Sequence, residues 1–175
     1  MTPDDAITRK WWDDVWAMGL EAGPTPVVTF VVEDCSRRNK LVAFSRWNVP
    51  QFEKSLEPSS DYYMPPFPEE WDPELTEAFW GGMSKNKTSI MGDKPHWSVD
   101  PTTERRGLAS VLMDWACRQA DKSGLELYGD ATPEGLAVWK KHFDFKGLKS
   151  LVLTSDQFGS FEMVSGVRYP KKSPT

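Results

Sequence analysis

The chain has 175 residues, 39% of them hydrophobic and 27% charged, and its 21 lysines and arginines against 26 aspartates and glutamates leave a net charge of -5. That length fits one domain, 1–175, with a substantial core, and the composition excludes a disordered or collagen-like chain. The acidic balance is wrong for nonspecific duplex binding, and no apolar run approaches the ~20 residues of a membrane helix. The start, Met1-Thr2-Pro3-Asp4-Asp5, lacks the basic and apolar regions of a signal peptide, so a cytoplasmic protein is expected. Thr2-Pro3-Asp4 opens a helix whose inner face carries Ile7, Trp11, Val15 and Met18, with residues 19–26 ending it. Residues 27–32 and 41–47 are β-branched and aromatic runs joined by a polar turn, and they predict an antiparallel hairpin. Residues 50–68 carry prolines, serines and tyrosines without a period and read as a long surface loop.

Trp71-Asp72-Pro73-Glu74 predicts a second helix, capped by Asp72, with Leu75, Ala78, Phe79, Met83 and Ile90 on one face up to Gly92. Gly81 and Gly82 weaken it by about 1 kcal/mol each relative to alanine. A short strand, 96–99, then leads through a turn at 100–103 into a helix over about 106–122, with Leu108, Val111, Leu112, Trp115 and Ala116 facing inward. Residues 125–128 predict a strand. Thr132-Pro133-Glu134 opens a helix through Leu136, Trp139 and Phe143. Residues 148–153 and 161–167 close the chain as paired strands before a flexible tail, 170–175. This order predicts an α/β (α+β) domain with a mixed sheet flanked by helices.

Two cysteines make no disulfide framework, and Cys35, Cys117, His96 and His142 have no metal-ligand spacing. Two reduced structural thiols and no metal are expected, with His142 solvated on the polar flank of its helix. Nine tryptophans require a large packed interior or an aromatic groove. Trp11, Trp12, Trp16, Trp47, Trp71 and Trp80 are expected there as core or groove walls.

The stretch Val99-Asp100-Pro101-Thr102-Thr103-Glu104-Arg105-Arg106-Gly107-Leu108-Ala109-Ser110 carries the most chemistry. A strand runs through a turn into an amphipathic helix, whose first backbone N–H groups lack intrahelical partners and suit an anion. Gly107 and Ala109 remove side-chain bulk there, and Arg105 and Arg106 add charge. Each hydrogen bond to a charged group is worth ~1.5–3 kcal/mol against ~0.3–1 for the helix dipole, so amide geometry outweighs the dipole. The pattern is a phosphate cradle.

At this point the sequence resembles the GNAT-type N-acetyltransferases. Their signature is Gln or Arg, two variable residues, Gly, one variable residue, then Gly or Ala, between the fourth strand and the following helix. Arg105-Arg106-Gly107-Leu108-Ala109 fits its glycine core, and the resemblance covers roughly residues 27–169. It implies a GNAT-like fold, N-terminally truncated because the family's first strand and helix have no counterpart. It implies acetyl-CoA as co-substrate, with the pyrophosphate on residues 105–110 and a backbone N–H near Val99 polarising the thioester carbonyl. It also implies an N-acetyltransferase acting on a small-molecule amine, with no covalent enzyme intermediate. The alternative is a repurposed GNAT-fold protein that binds coenzyme A or another ligand without acetyl transfer.

Tyr128 and Asp130, at the end of the fifth strand, are candidates for the thiolate acid and for the group that holds the amine or accepts its proton; packing and helix entry are their structural alternatives. His96 and Trp97 are candidates for lining the acceptor pocket, or else form a half-buried structural pair. The sequence departs from the family in four places. Glu104 replaces Gln or Arg, Trp139 replaces the acid tyrosine, Asp144-Phe145 replaces Gly-Phe, and the fourth strand is short. The fourth and fifth strands are expected to splay apart, and a missing first strand is expected to leave an open edge near residues 27–32, covered in a homodimer.

Overall fold

The computed structural model describes residues 6–21, 27–50, 64–102, 108–156 and 159–171, with backbone alone at 99–102 and 108–109. The helix α1 (Ala6–Glu21) precedes the hairpin of β1 (Val27–Asp34) and β2 (Lys40–Asn48), whose tip is a 3-10 turn at Cys35–Arg37. Asp34 closes that turn by accepting from the Ser36 amide at 3.0 Å. A helical stretch follows as α2 (Pro73–Thr76), a π-turn (Glu77–Gly81) and α3 (Gly82–Met91). Then come β3 (His96–Thr102), α4 (Leu108–Ser123), β4 (Glu126–Ala131), α5 (Pro133–Phe143), β5 (Lys146–Ser155) and β6 (Gly159–Arg168). The six strands form one sheet in the order β1-β2-β3-β4-β6-β5, antiparallel except for β3 beside β4.

Side chains alternate across this sheet, so each strand feeds two layers. On one face Trp47, Trp97 and Leu127 pack with Met113 and Ala116 of α4 and Leu136 of α5. On the other, Tyr128 and Val167 pack against Met91 at the end of α3. On the latter face α1 lies against β2. Its Gly19 is buried because the Arg46 side chain crosses there, donating from Nη1 to the Val15 carbonyl at 3.1 Å and stacking 4.9 Å from the Trp16 ring centroid. A β-carbon at Gly19 would collide with Arg46 Nη1. Gly19→Ala is therefore expected to lower stability by ~1–3 kcal/mol, read as a reduced urea midpoint at unchanged slope. An unchanged midpoint would mean that Arg46 moves aside without cost.

The helix α1 thus runs to Glu21 through Gly19, which the sequence placed at its end, and Ile7 is 41% exposed rather than inward. The cap at Asp72 is as expected, accepting from the Glu74 and Leu75 amides at 2.9 and 3.0 Å. Past it the π-turn re-phases the helix, which leaves Ala78 exposed. Gly82 has a packing reason, since a β-carbon there would lie 2.8 Å from Leu151 of β5. Val111 is also turned out, 62% exposed, while Leu112, Met113, Ala116, Cys117 and Ala120 form the inner face of α4. Residues 51–63 of the expected loop lie outside the described residues. Residues 64–68 carry neither helix nor strand, and the Pro66 carbonyl accepts from Trp11 Nε1 at 3.0 Å.

Residues 170 and 171 of the expected tail are described. The Lys171 amide donates to Asp121 at 2.6 Å and its ammonium pairs with Asp144 at 2.6 Å, so residue 171 is pinned. Residues 172–175 lie outside the described residues. No described helix is long and apolar enough to cross a membrane.

Candidate active site

The strands β3 and β4 pair over four residues, from His96↔Glu126 to Val99↔Gly129, and there their ladder stops. Both strands continue: β3 pairs with β2 as far as Thr102↔Phe44, and β4 pairs with β6 as far as Ala131↔Val164. The parting of two parallel neighbours opens a notch in the middle of the sheet. The sequence reading ended these strands at Val99 and Tyr128, and both run three residues further. Among the described residues, β3 beyond Val99 has a strand neighbour on one flank only, which is where a proline such as Pro101 fits a strand. The short fourth strand expected from the sequence is therefore a seven-residue strand, His96–Thr102.

Four polar side chains gather beside the notch on the α3 face. Tyr128 and Asp130 share that face two residues apart on β4, and Ser165 of β6 is the direct cross-strand partner of Asp130. The Tyr128 hydroxyl donates to Asp130 Oδ1 at 2.9 Å, the Ser165 hydroxyl donates to the same oxygen at 2.6 Å, and the two hydroxyls lie 3.2 Å apart. The His96 ring stands edge-on to Tyr128, 6.1 Å between centroids, with Nδ1 bonded to the Lys94 carbonyl at 2.7 Å.

Burial sets the protonation of this group. It raises the Asp130 carboxyl above its usual value, opposed by the hydrogen bonds of Ser165 and Tyr128 and by the charge of Lys87. Burial first and the Asp130 charge second make Tyr128 hold its proton far more tightly than an ordinary tyrosine. Desolvation lowers His96, with the Lys94 carbonyl opposing, so the ring is neutral at neutral pH. A carboxylate with raised proton affinity beside a protonated hydroxyl is an arrangement suited to taking up a proton.

Other candidates fall differently. Trp97 does not line this site with His96. Consecutive strand residues face opposite ways, and Trp97 lies in the α4 layer, 9% exposed, its Nε1 donating to Ser123 at 3.3 Å. Trp139 is buried against Phe145, 4.9 Å between centroids, as a core residue. His142 is exposed. Cys117 is buried in the α4 layer, and burial pushes its thiol up to about 11, which disfavours the thiolate. Of the cradle, Glu104, Arg105, Arg106 and Gly107 lie outside the described residues. Leu108 and Ala109 begin α4, Ser110 follows half-buried in its first turn, and the Val99 backbone lies at the end of the β3–β4 ladder. No group of three or more metal-ligating side chains occurs among the described residues. Ser165 is the residue that sequence reasoning missed. It lies 35 positions from Asp130 and no local pattern marks it.

No protein-family model and no curated protein matches the chain. Solved structures do. The histone acetyltransferase HPA2 and related acetyltransferase from Corynebacterium glutamicum aligns with 99% of this chain and 81% of its own, at 18% identity and a TM-score of 0.54. Arabidopsis thaliana NAA60, in complex with a bisubstrate analogue, aligns over 99% of this chain and 97% of its own, at 12% identity and 0.52. The mosquito protein arylalkylamine N-acetyltransferase-like 5b aligns over 95% of this chain and 88% of its own, at 16% identity and 0.52. The chain has the GNAT-type N-acetyltransferase fold. In GNAT terms β3 and β4 are the fourth and fifth strands, adjacent, parallel and parting as that fold leads one to expect. Among the described residues no strand precedes β1, which forms one edge of the GNAT-like sheet.

Proposed function

We propose that this protein is an acetyl-CoA-dependent N-acetyltransferase acting on a small-molecule amine. The observation that carries the reading is the notch where the β3–β4 ladder ends, with α4 starting after β3 on one side and Asp130 on the other. The donor set suits acetyl-CoA: the first amides of a helix have no intrahelical partner, and at the start of α4 the sequence sets small Gly107 and Ala109 beside charged Arg105 and Arg106, a combination suited to a pyrophosphate. The thioester then lies in the notch, its carbonyl polarised by backbone N–H near Val99. A neutral amine attacks the thioester carbon and Asp130 takes its proton, while Tyr128, whose tightly held proton is donated to Asp130 Oδ1, positions that carboxylate. His96 borders the acceptor side.

A second reading, coenzyme A binding without transfer, draws support from Trp139, because an indole has no acidic proton to give a thiolate and this one is sealed in the core. Thermal shift with acetyl-CoA tests binding, and release of free thiol with a panel of amines separates transfer from binding alone. A melting temperature unmoved by millimolar acetyl-CoA would overturn both readings. Gly107→Val is expected to abolish coenzyme A binding in calorimetry while circular dichroism stays unchanged, because the branched side chain fills the anion space. Arg105→Ala is expected to weaken binding by ~1–3 kcal/mol, the loss of one charge-assisted bond. Equal binding by Gly107→Val and the natural protein would place the cradle elsewhere.

A further inference from the structure

We propose that Ser165 is a positioning residue for this reaction: with Tyr128 it holds the Asp130 carboxylate through Oδ1 and leaves Oδ2 as the atom that receives the amine proton. The proposal rests on the reading of Asp130 as the base. Ser165 and Asp130 are directly opposed across the β4–β6 ladder, so their side chains rise on the same face. Serine is short enough to set its hydroxyl 2.6 Å from Oδ1, and Tyr128 reaches the same oxygen at 2.9 Å.

Proton counting makes the arrangement directional. Each hydroxyl has one proton, so when both donate to Oδ1 none is left for the 3.2 Å contact between them. Both donors therefore serve one carboxylate oxygen, and no described side chain is hydrogen-bonded to the other. In the step this serves, the amine nitrogen bonds to the thioester carbon and the carbon–sulfur bond breaks. The sulfur leaves with the electron pair of that bond, and one proton passes from nitrogen to Oδ2.

Ser165 has a second effect. Its bond favours the ionised carboxylate, against the burial that disfavours it. The other groups bearing on Asp130 are Tyr128 on its own strand and Lys87 on α3; His96 on β3 stands against the Tyr128 ring and also feels Lys87. Tyr128 already donates to Oδ1 in the natural protein, so removing the Ser165 hydroxyl takes away one of two donors to that oxygen.

The test compares Ser165→Ala and Ser165→Thr with the natural protein, by thiol release with an amine across pH and by carbon-13 NMR titration of the Asp130 carboxyl. Ser165→Ala is expected to lower kcat roughly 10-fold or more with an acetyl-CoA KM within about twofold, the loss of one hydrogen bond to a charged group. Its acid limb and its Asp130 midpoint both move to higher pH, while Ser165→Thr, which keeps the hydroxyl, restores both. An active natural protein with the same midpoint and pH profile in Ser165→Ala overturns the role of Ser165. A natural protein that binds acetyl-CoA but transfers no acetyl group overturns the reading of Asp130 instead, whatever the titration shows.

Discussion

Asp130→Asn should lower kcat for acetyl transfer by roughly 10²–10⁴-fold, the usual worth of a positioned general base. Asparagine keeps the shape and both hydroxyl contacts at Oδ1, so folding and acetyl-CoA affinity are expected to hold while the proton acceptor is lost. The pH dependence has a definite sign. Burial raises the Asp130 carboxyl, so in the natural protein activity falls on acidification at a higher pH than an ordinary aspartate would give. That limb should vanish from the residual activity of the variant. Steady-state thiol release across pH decides it. If Asp130→Asn stays within about threefold of the natural protein, the base is another group. His96 is then the next candidate, being neutral, bonded through Nδ1 and left with a free Nε2.

The second large effect concerns stability. Arg168, 3% exposed at the end of β6, forms a two-bond fork with Asp121 of α4, both bonds 2.8 Å, and the Lys171 amide adds a third contact to the same carboxylate. Asp121→Ala leaves a buried guanidinium without its partner, a change that costs on the order of 3 kcal/mol and, in a domain of this size, about 6–12 °C in Tm. The Arg168 hydrogen bonds hold the Asp121 carboxyl below its usual value. A carboxyl lowered by folding contributes stability that is whole above its unfolded value, near ~3.9, and is lost as pH falls through the folded value. The gap between the natural protein and the variant should therefore be full at neutral pH and close below about pH 4. Calorimetric melting at several pH values checks both parts. A gap that persists unchanged into strong acid would mean that the pair is not the source.

The sequence made much of this fold legible because its signals are local. The β-branched runs about the polar turn became the β1–β2 hairpin, and the caps at Asp72 and Thr132, each followed by proline, opened helices where expected. What was missed depended on neighbours. Pro101 reads as part of a turn until one sees that β2 offers it a strand partner, Ser45. The turned-out Ala78 follows from a π-turn that no periodicity announces. His96 and Trp97, candidates for the acceptor pocket or else a structural pair, are separated by strand alternation, which turns Trp97 into the α4 layer. At the site, Tyr128 and Asp130 were legible as an i, i+2 pair on a strand. Ser165 and the Arg168–Asp121 fork were not, since each joins residues brought together only by the register of β6.

The end of the β3–β4 ladder also has a mechanical meaning. The sheet consists of two three-stranded ribbons, β1-β2-β3 and β4-β6-β5, stitched to each other by only four residue pairs. A seam so short resists opening far less than either ribbon resists unzipping. The helix α4 packs across it, against β2, β3 and β4, and so acts as the splint. The first turn of that splint is where the pyrophosphate is proposed to sit, and its last turns carry Asp121, which ties down the end of β6. A ligand held at one end of α4 and wedged into the seam would stiffen the joint between the ribbons. Occupancy would then be felt as far away as the fork at Arg168, through a single rigid rod.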